Sequence, residues 1–293
     1  MKLFLLLLVP AALCAHTGEP LEPHDFWKAW AFDPGAAVPL LITAVLYARG
    51  ARRSRGVTAG QAVSFWAGWL VLAIALGSPL HPLGEALFSA HMAQHELLML
   101  GAAPLLALSR PLVPMLWGLP LSWRRAAGQS TKTAAVQTGW HAITSPFTAW
   151  WIHAAALWVW HAPALFQATL SSEPIHAAQH VSFFGSALLF WWSLFYARGR
   201  HGYGLGVLYI FSTAVHTSIL GALLTFAPRV WYPAYGTRAA AWGLTALEDQ
   251  QIGGLIMWVP AGVVYLVAGL ALFAAWLQAS DATAIAADSN SLN

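Results

Sequence analysis

Seven stretches of this chain, 34 to 49, 61 to 79, 86 to 108, 146 to 161, 176 to 197, 204 to 226 and 249 to 277, are mostly apolar and come close to the length that crosses a bilayer. About 20 such residues span a hydrocarbon core, and a helix pairs its own backbone polar groups where no water can. The expected fold is therefore all-α, a polytopic membrane bundle of seven transmembrane helices. Only 9% of the residues are charged and 58% are hydrophobic, more than a soluble core of 293 residues requires. The stretch PLVPMLWGLPL, Pro111 to Leu121, is apolar too, but it is short and broken by proline. It is expected to lie at the interface or to re-enter.

Charge fixes the expected direction. Arg49, Arg52, Arg53 and Arg55 follow the first span, Arg110, Arg124, Arg125 and Lys132 follow the third, and Arg198 and Arg200 follow the fifth. By parity these loops share one side, and the positive-inside rule makes it the cytoplasm. The other side carries Glu19, Glu22, Asp25, Asp33, Glu85, Glu173, Glu248 and Asp249 against Lys28, Arg229 and Arg238. The N-terminus is thus expected outside and the C-terminus in the cytoplasm. The formal charge of +3 reads as topology signal and gives no face for nucleic acid.

Residues 1 to 15, MKLFLLLLVPAALCA, have the layout of a signal peptide. An extracytoplasmic segment at 16 to 33, a membrane domain at 34 to 277 and a disordered polar tail at 278 to 293 complete the expected organisation. Cys14 is the single cysteine, so no disulfide and no thiolate metal site is available.

The histidines follow the parity of the spans. His91 and His95 begin the third, His161 ends the fourth, His176 and His180 begin the fifth, and His81 lies in the loop before the third. The seventh begins with Glu248, Asp249, Gln250 and Gln251. All fall on one membrane face. In HMAQH and HAAQH the two histidines stand four apart, so each helix presents two imidazoles together. Their position at the start of the spans places the site at the outer rim, open to water on one side. Glu96, one residue deeper, is expected to pair with, orient or ligate beside them, because a polar group at membrane depth faces a partner. The candidate metal ligands are therefore His91, His95, His161, His176, His180, Asp249, Glu96 and His81. Imidazole with carboxylate suits copper, zinc or iron.

Lesser candidates surround this set. His153 and His216, nearer mid-membrane, form a pair that could ligate haem. Met92 and Met99 offer soft thioethers beside the histidines. Gly253 and Gly254 are expected to let helices approach closely near the site.

With HMAQHELLMLGAAPLLAL, HAAQHVSFFGSALLFWW and DQQIGGLIMWVP in this order, the chain resembles the bacterial CtaG family of cytochrome c oxidase assembly factors over roughly residues 85 to 275. The resemblance implies a seven-span protein of the bacterial inner membrane that helps assemble a haem-copper oxidase by aiding copper delivery to its catalytic subunit. It carries over His91, His95, His176, His180 and Asp249, and with them His161 of the HAP triplet. The leading expectation is non-enzymatic: outer-face imidazoles take copper from a periplasmic donor and pass it to a docked oxidase subunit, the protein otherwise meeting only membrane lipid. The residues leave two other readings open. One is an intramembrane zinc-dependent hydrolase using Glu96 or Asp249 as the acid, although no HExxH is present. The other is a haem-binding electron-transfer subunit built on His153 and His216.

Overall fold

A computed structural model describes residues 21 to 30, 33 to 54, 56 to 196 and 202 to 291, with side chains as far as Gln278. The expected signal peptide, with Arg55, Arg198 and Arg200, lies outside the described residues. Among the described residues every long element is a helix and none is a strand. In chain order these are α1 (Pro34–Arg53), α2 (Ala59–Gly77), α3 (Leu80–Ala86), α4 (Phe88–Ser109), α5 (Leu112–Gly118) and α6 (Leu121–Ser130). They continue as α7 (Ala134–Ile143), α8 (Pro146–Trp160), α9 (Pro163–Thr169), α10 (Glu173–Tyr196), α11 (Gly202–Thr225) and α12 (Ala246–Ser291).

The expected count of seven spans needs correction. Four helices are long and apolar enough to cross a membrane, namely α1, α2, α11 and the Ala246–Gln278 part of α12; α4 with α5, bent by 68°, brings the number to five. The two that fall short do so for different reasons. At 1.5 Å per residue the 15 residues of α8 reach only about 22 Å, below the ~30 Å of a hydrocarbon core. Helix α10 has 24 residues, but Glu173, His176, Gln179, His180 and its serines and tryptophans dilute its hydropathy. Those same residues mark it as the inner helix of the bundle: most of its positions from Phe183 to Leu194 are buried. Several apolar helices around such a core make this a multi-pass membrane protein.

The apolar part of α12 ends near Gln278, yet its backbone stays helical to Ser291, through the stretch expected as a tail. The alanines there have the highest helix propensity of any residue.

Local chemistry explains the breaks. Helix α4 is α-helical over Phe88–Glu96, widens into a π-helical segment at Leu97–Ala102, and returns to α at Ala103–Ser109. The N–H of Ala103 bonds to the carbonyl of Leu98, five residues back. The next donor in that register would be Pro104, which has no N–H. The carbonyl of Met99 is met instead by the indole of Trp191 on α10, at 2.9 Å. A π-helical insertion of this kind often marks a functional site, and here it directly follows the HMAQHE run.

The proline-broken piece expected to re-enter is α5, which leaves α4 at 68° and packs on α1. Backbones touch there: a Cβ on Gly50 would fall 1.6 Å from the carbonyl oxygen of Pro114, and one on Gly118 2.1 Å from that of Leu46. The contact between α4 and α12 uses the same device, as expected for Gly253, whose added Cβ would meet the Phe88 ring at 2.4 Å. Gly254 serves the packing of α11 on α12.

Candidate metal centre

Helices α4 and α10 begin at the same end of the bundle, and each carries its HxAQH pair over its first turns. The four rings meet. His91 and His95 lie 4.4 Å apart between centroids, His176 and His180 4.3 Å, and across the helices His91 is 5.1 Å from His176 while His95 is 5.3 Å from His180. One ligand nitrogen from each of His91, His176 and His180 lies within 4.8 Å of the other two. Nitrogens sharing one ion at about 2.0 Å stand roughly 3.3 Å apart in a tetrahedral arrangement, so the trio is within small ring rotations of a common centre. All four rings are buried.

Buried imidazole nitrogens without partners carry a desolvation cost. Neither nitrogen of His95 has a hydrogen-bond partner, nor does Nε2 of His180. A metal-ligating donor set fits this observation, because an ion would take the lone pairs that nothing else takes. His91 is held at both nitrogens, with Nδ1 3.4 Å from the carbonyl of Gly84 and Nε2 3.1 Å from Oε1 of Gln179. With the Nδ1 proton on the Gly84 carbonyl, Nε2 carries the lone pair, and it ligates once the Gln179 oxygen turns away from it.

His81, on α3, completes a ring of five. It stacks on His176 at 5.4 Å and 9°, and its edge meets His180 at 6.0 Å. Gln94 gives one amide hydrogen to the carbonyl of Ala75 at 2.7 Å and the other to Nδ1 of His81 at 2.9 Å. Neutral His81 therefore keeps its proton on Nε2 and turns an N–H, not a lone pair, outward.

The other expected ligands sit apart from these rings. His161 caps the end of α8 and donates from Nδ1 to the carbonyl of Leu157 at 2.6 Å, so its buried Nε2 holds a lone pair with no partner. Phe166 and Phe183, 6.3 and 5.8 Å from its ring, lie between it and the cluster. Glu96 lies within electrostatic range of Tyr265 on α12. Asp249 does something different: fully buried, it accepts from the backbone N–H of Phe88 at 2.6 Å and of Ser89 at 3.0 Å, and from the Ser89 hydroxyl at 2.5 Å. It thus caps α4 from another helix. A carboxylate at that position also meets the positive end of the helix dipole.

The remaining candidates have other occupations. Nδ1 of His153 lies 3.1 Å from the Ser186 hydroxyl, and His216 accepts from the Trp158 indole at 3.4 Å. Met92 and Met99 are buried in apolar packing.

The rings do not lie open at the rim. The segment from Ala227 to Trp242 folds over this end of the bundle, stacking Tyr232 on Phe88 at 4.8 Å and against Phe166 at 4.4 Å. Gln250 accepts from the N–H of Trp231 at 2.6 Å, and Gln251 donates to the carbonyl of Ala227 at 3.2 Å. Arg238 donates to the carbonyl of Glu85 at 2.9 Å, and the Tyr235 hydroxyl to that of Gly84 at 3.0 Å. Burial pushes the Tyr235 phenol well above its ordinary value, so it stays protonated and keeps donating. This roof explains how the site is closed from one side.

The sequence profile of the cytochrome c oxidase caa3 assembly factor family matches residues 45 to 279. The chain belongs to that family. The matched region contains all five clustered histidines and the capping Asp249, so the candidate centre lies wholly within the part of the chain that the family profile matches.

Among curated proteins, the chain is 24% identical over 260 residues to an uncharacterized protein of Mycobacterium bovis and to one of Mycobacterium tuberculosis, covering 85% of this chain and 39% of each relative. It is 23% identical over 288 residues to an uncharacterized protein of Mycobacterium leprae, covering 92% and 43%. The chain therefore spans about two fifths of the length of the curated relatives it matches. No solved structure matches it.

Sequence reasoning passed over Gln94 and Gln179, the fourth residues of the two HxAQH motifs. Each bonds a histidine outside its own motif, Gln94 reaching His81 and Gln179 reaching His91. The signal was present: a repeated motif whose glutamine, like its histidines, enters oil twice. Tyr235 and Arg238 gave no such signal, because their partners are backbone carbonyls on distant elements, and Ser89 gave none because the carboxylate it bonds lies about 160 residues away.

Proposed function

We propose that this caa3 oxidase assembly factor binds copper at His91, His176 and His180 and hands it to the catalytic subunit of a haem-copper oxidase, without enzymatic turnover. The observation that supports this most is the approach of three buried imidazole nitrogens within 4.8 Å of one another, beside the partnerless nitrogens of His95. Imidazole donors suit copper, and His95, beside His91 and His180 with both nitrogens partnerless, stands close enough to serve as the next station for a departing ion. A carrier needs such exchangeable ligands more than a closed four-ligand cage, which would retain its metal. The excess of arginine in the loops of the opposite side supports a periplasmic position for this end of the bundle, where a periplasmic donor delivers copper.

Neither alternative gains support from the geometry. Ser89 and Ser182, the hydroxyls nearest the motifs in sequence, bond Asp249 and the carbonyl of Gln179, and His153 and His216 each bond a different side chain.

The test is made in cells. Strains carrying His91→Ala or His176→Ala are expected to accumulate oxidase with reduced copper content and activity, while the assembly factor itself reaches the membrane in normal amount. Full copper content and activity in both strains would refute the proposal.

A further inference from the structure

The buried rings need a way in. A cavity of about 90 Å³ lies between α1, α2 and α10, with room for several waters. Three clustered histidines, His81, His176 and His180, form one wall, and Leu72, Leu98 and Phe184 are among the residues of its apolar side. Asp33 and Glu173, the residues at which α1 and α10 begin, also line it.

We propose that this cavity is the route by which a copper cation reaches the histidines, with Asp33 and Glu173 as its first, transient ligands. Four observations combine. The roof of Phe88, Phe166, Tyr232 and Tyr235 packs aromatic ring on aromatic ring over the cluster. The cavity bears carboxylates, which raise the local concentration of cations. Glu173 stands three residues before His176 on the same helix, so the two side chains are neighbours on one face. Finally, His180, only 7% exposed, lines the cavity, and its Nε2 has no hydrogen-bond partner. Asp33 commits one oxygen to the N–H of Gly35 at 3.0 Å, capping α1. An ion entering here would trade carboxylate oxygens for imidazole nitrogens, and the nitrogens hold copper better.

The inference rests on the copper reading above, and its test separates the two. The purified full chain in detergent is mixed with Cu(II), and quenching of tryptophan fluorescence gives the loading rate while metal analysis gives the final stoichiometry. Asp33→Asn with Glu173→Gln keeps an oxygen for the α1 cap, and is expected to slow loading at least about tenfold with unchanged stoichiometry. The wild-type rate should fall with added salt more steeply than the variant's. Ala177→Trp, which fills the cavity without touching a carboxylate, is expected to slow loading as well. Loading by both variants at the wild-type rate overturns the route while leaving the copper site intact. A wild-type chain that binds no Cu(II) overturns the copper reading and the route together.

Discussion

Replacing His91, His176 and His180 together by alanine is expected to take the protein from one copper per chain to none at micromolar concentrations. Each of the three supplies a nitrogen to the same small volume. Removing all of them leaves His95 with no second ligand from its own turn of α4 and none from α10. A milder variant serves as the control. Gln179→Ala removes only the oxygen 3.1 Å from Nε2 of His91, the atom that would ligate, so it is expected to leave the copper stoichiometry unchanged. Equilibrium dialysis of the detergent-solubilised protein with copper measures both, and unfolding curves check that the helices persist. Undiminished copper in the triple variant would place the metal elsewhere.

The second large effect is expected at Asp249, and it should be one of stability. Its carboxylate answers two backbone N–H groups and one hydroxyl at the start of α4, all buried. Asp249→Ala strands these three neutral donors, and at about 1–3 kcal/mol for each one left unsatisfied a loss of about 3 kcal/mol or more is expected. Asp249→Asn retains a carbonyl oxygen and is expected to cost about 1–2 kcal/mol, because one acceptor remains where two oxygens served. His91 and His95 ride on the capped helix, so the alanine variant should also bind copper more weakly, whereas the asparagine variant should keep full stoichiometry. Denaturant unfolding and copper titration together decide the role. An asparagine variant with normal stability and no bound copper would make Asp249 a ligand instead of a cap.

These two sites differ in how far they could be read from the sequence. The meeting of His91, His95, His176 and His180 follows from local rules: a spacing of four puts two rings on one face, and alternation of span direction puts both pairs at one end. Asp249 follows the same parity, which brings it to that end. Its choice of partner does not, since the N–H groups it caps belong to a helix about 160 residues away, and backbone donors leave no trace in composition.

One expected span, α10, is not among the helices apolar enough to cross a membrane for a related reason. Hydropathy measures how well a residue tolerates lipid, and α10 is wrapped by other helices, so it accommodates histidines and a glutamine that a lipid-facing span would not. The roof over the rings was invisible because no apolar period marks it; it is held by single contacts such as Gln250 to Trp231. Proline and glycine spoke more plainly. The prolines of Pro111 to Leu121 gave notice of the bent piece after α4, and Gly253 of the close approach of α12, because each acts through its own backbone.

The most direct measurement is pulsed electron spin resonance on the wild-type protein loaded with one equivalent of Cu(II). Modulation from the remote nitrogens of two or three imidazoles is predicted, and its loss in the His91, His176, His180 triple variant. A copper signal without imidazole nitrogens, or one that survives the triple replacement unchanged, would contradict the assignment of these histidines as the metal's ligands.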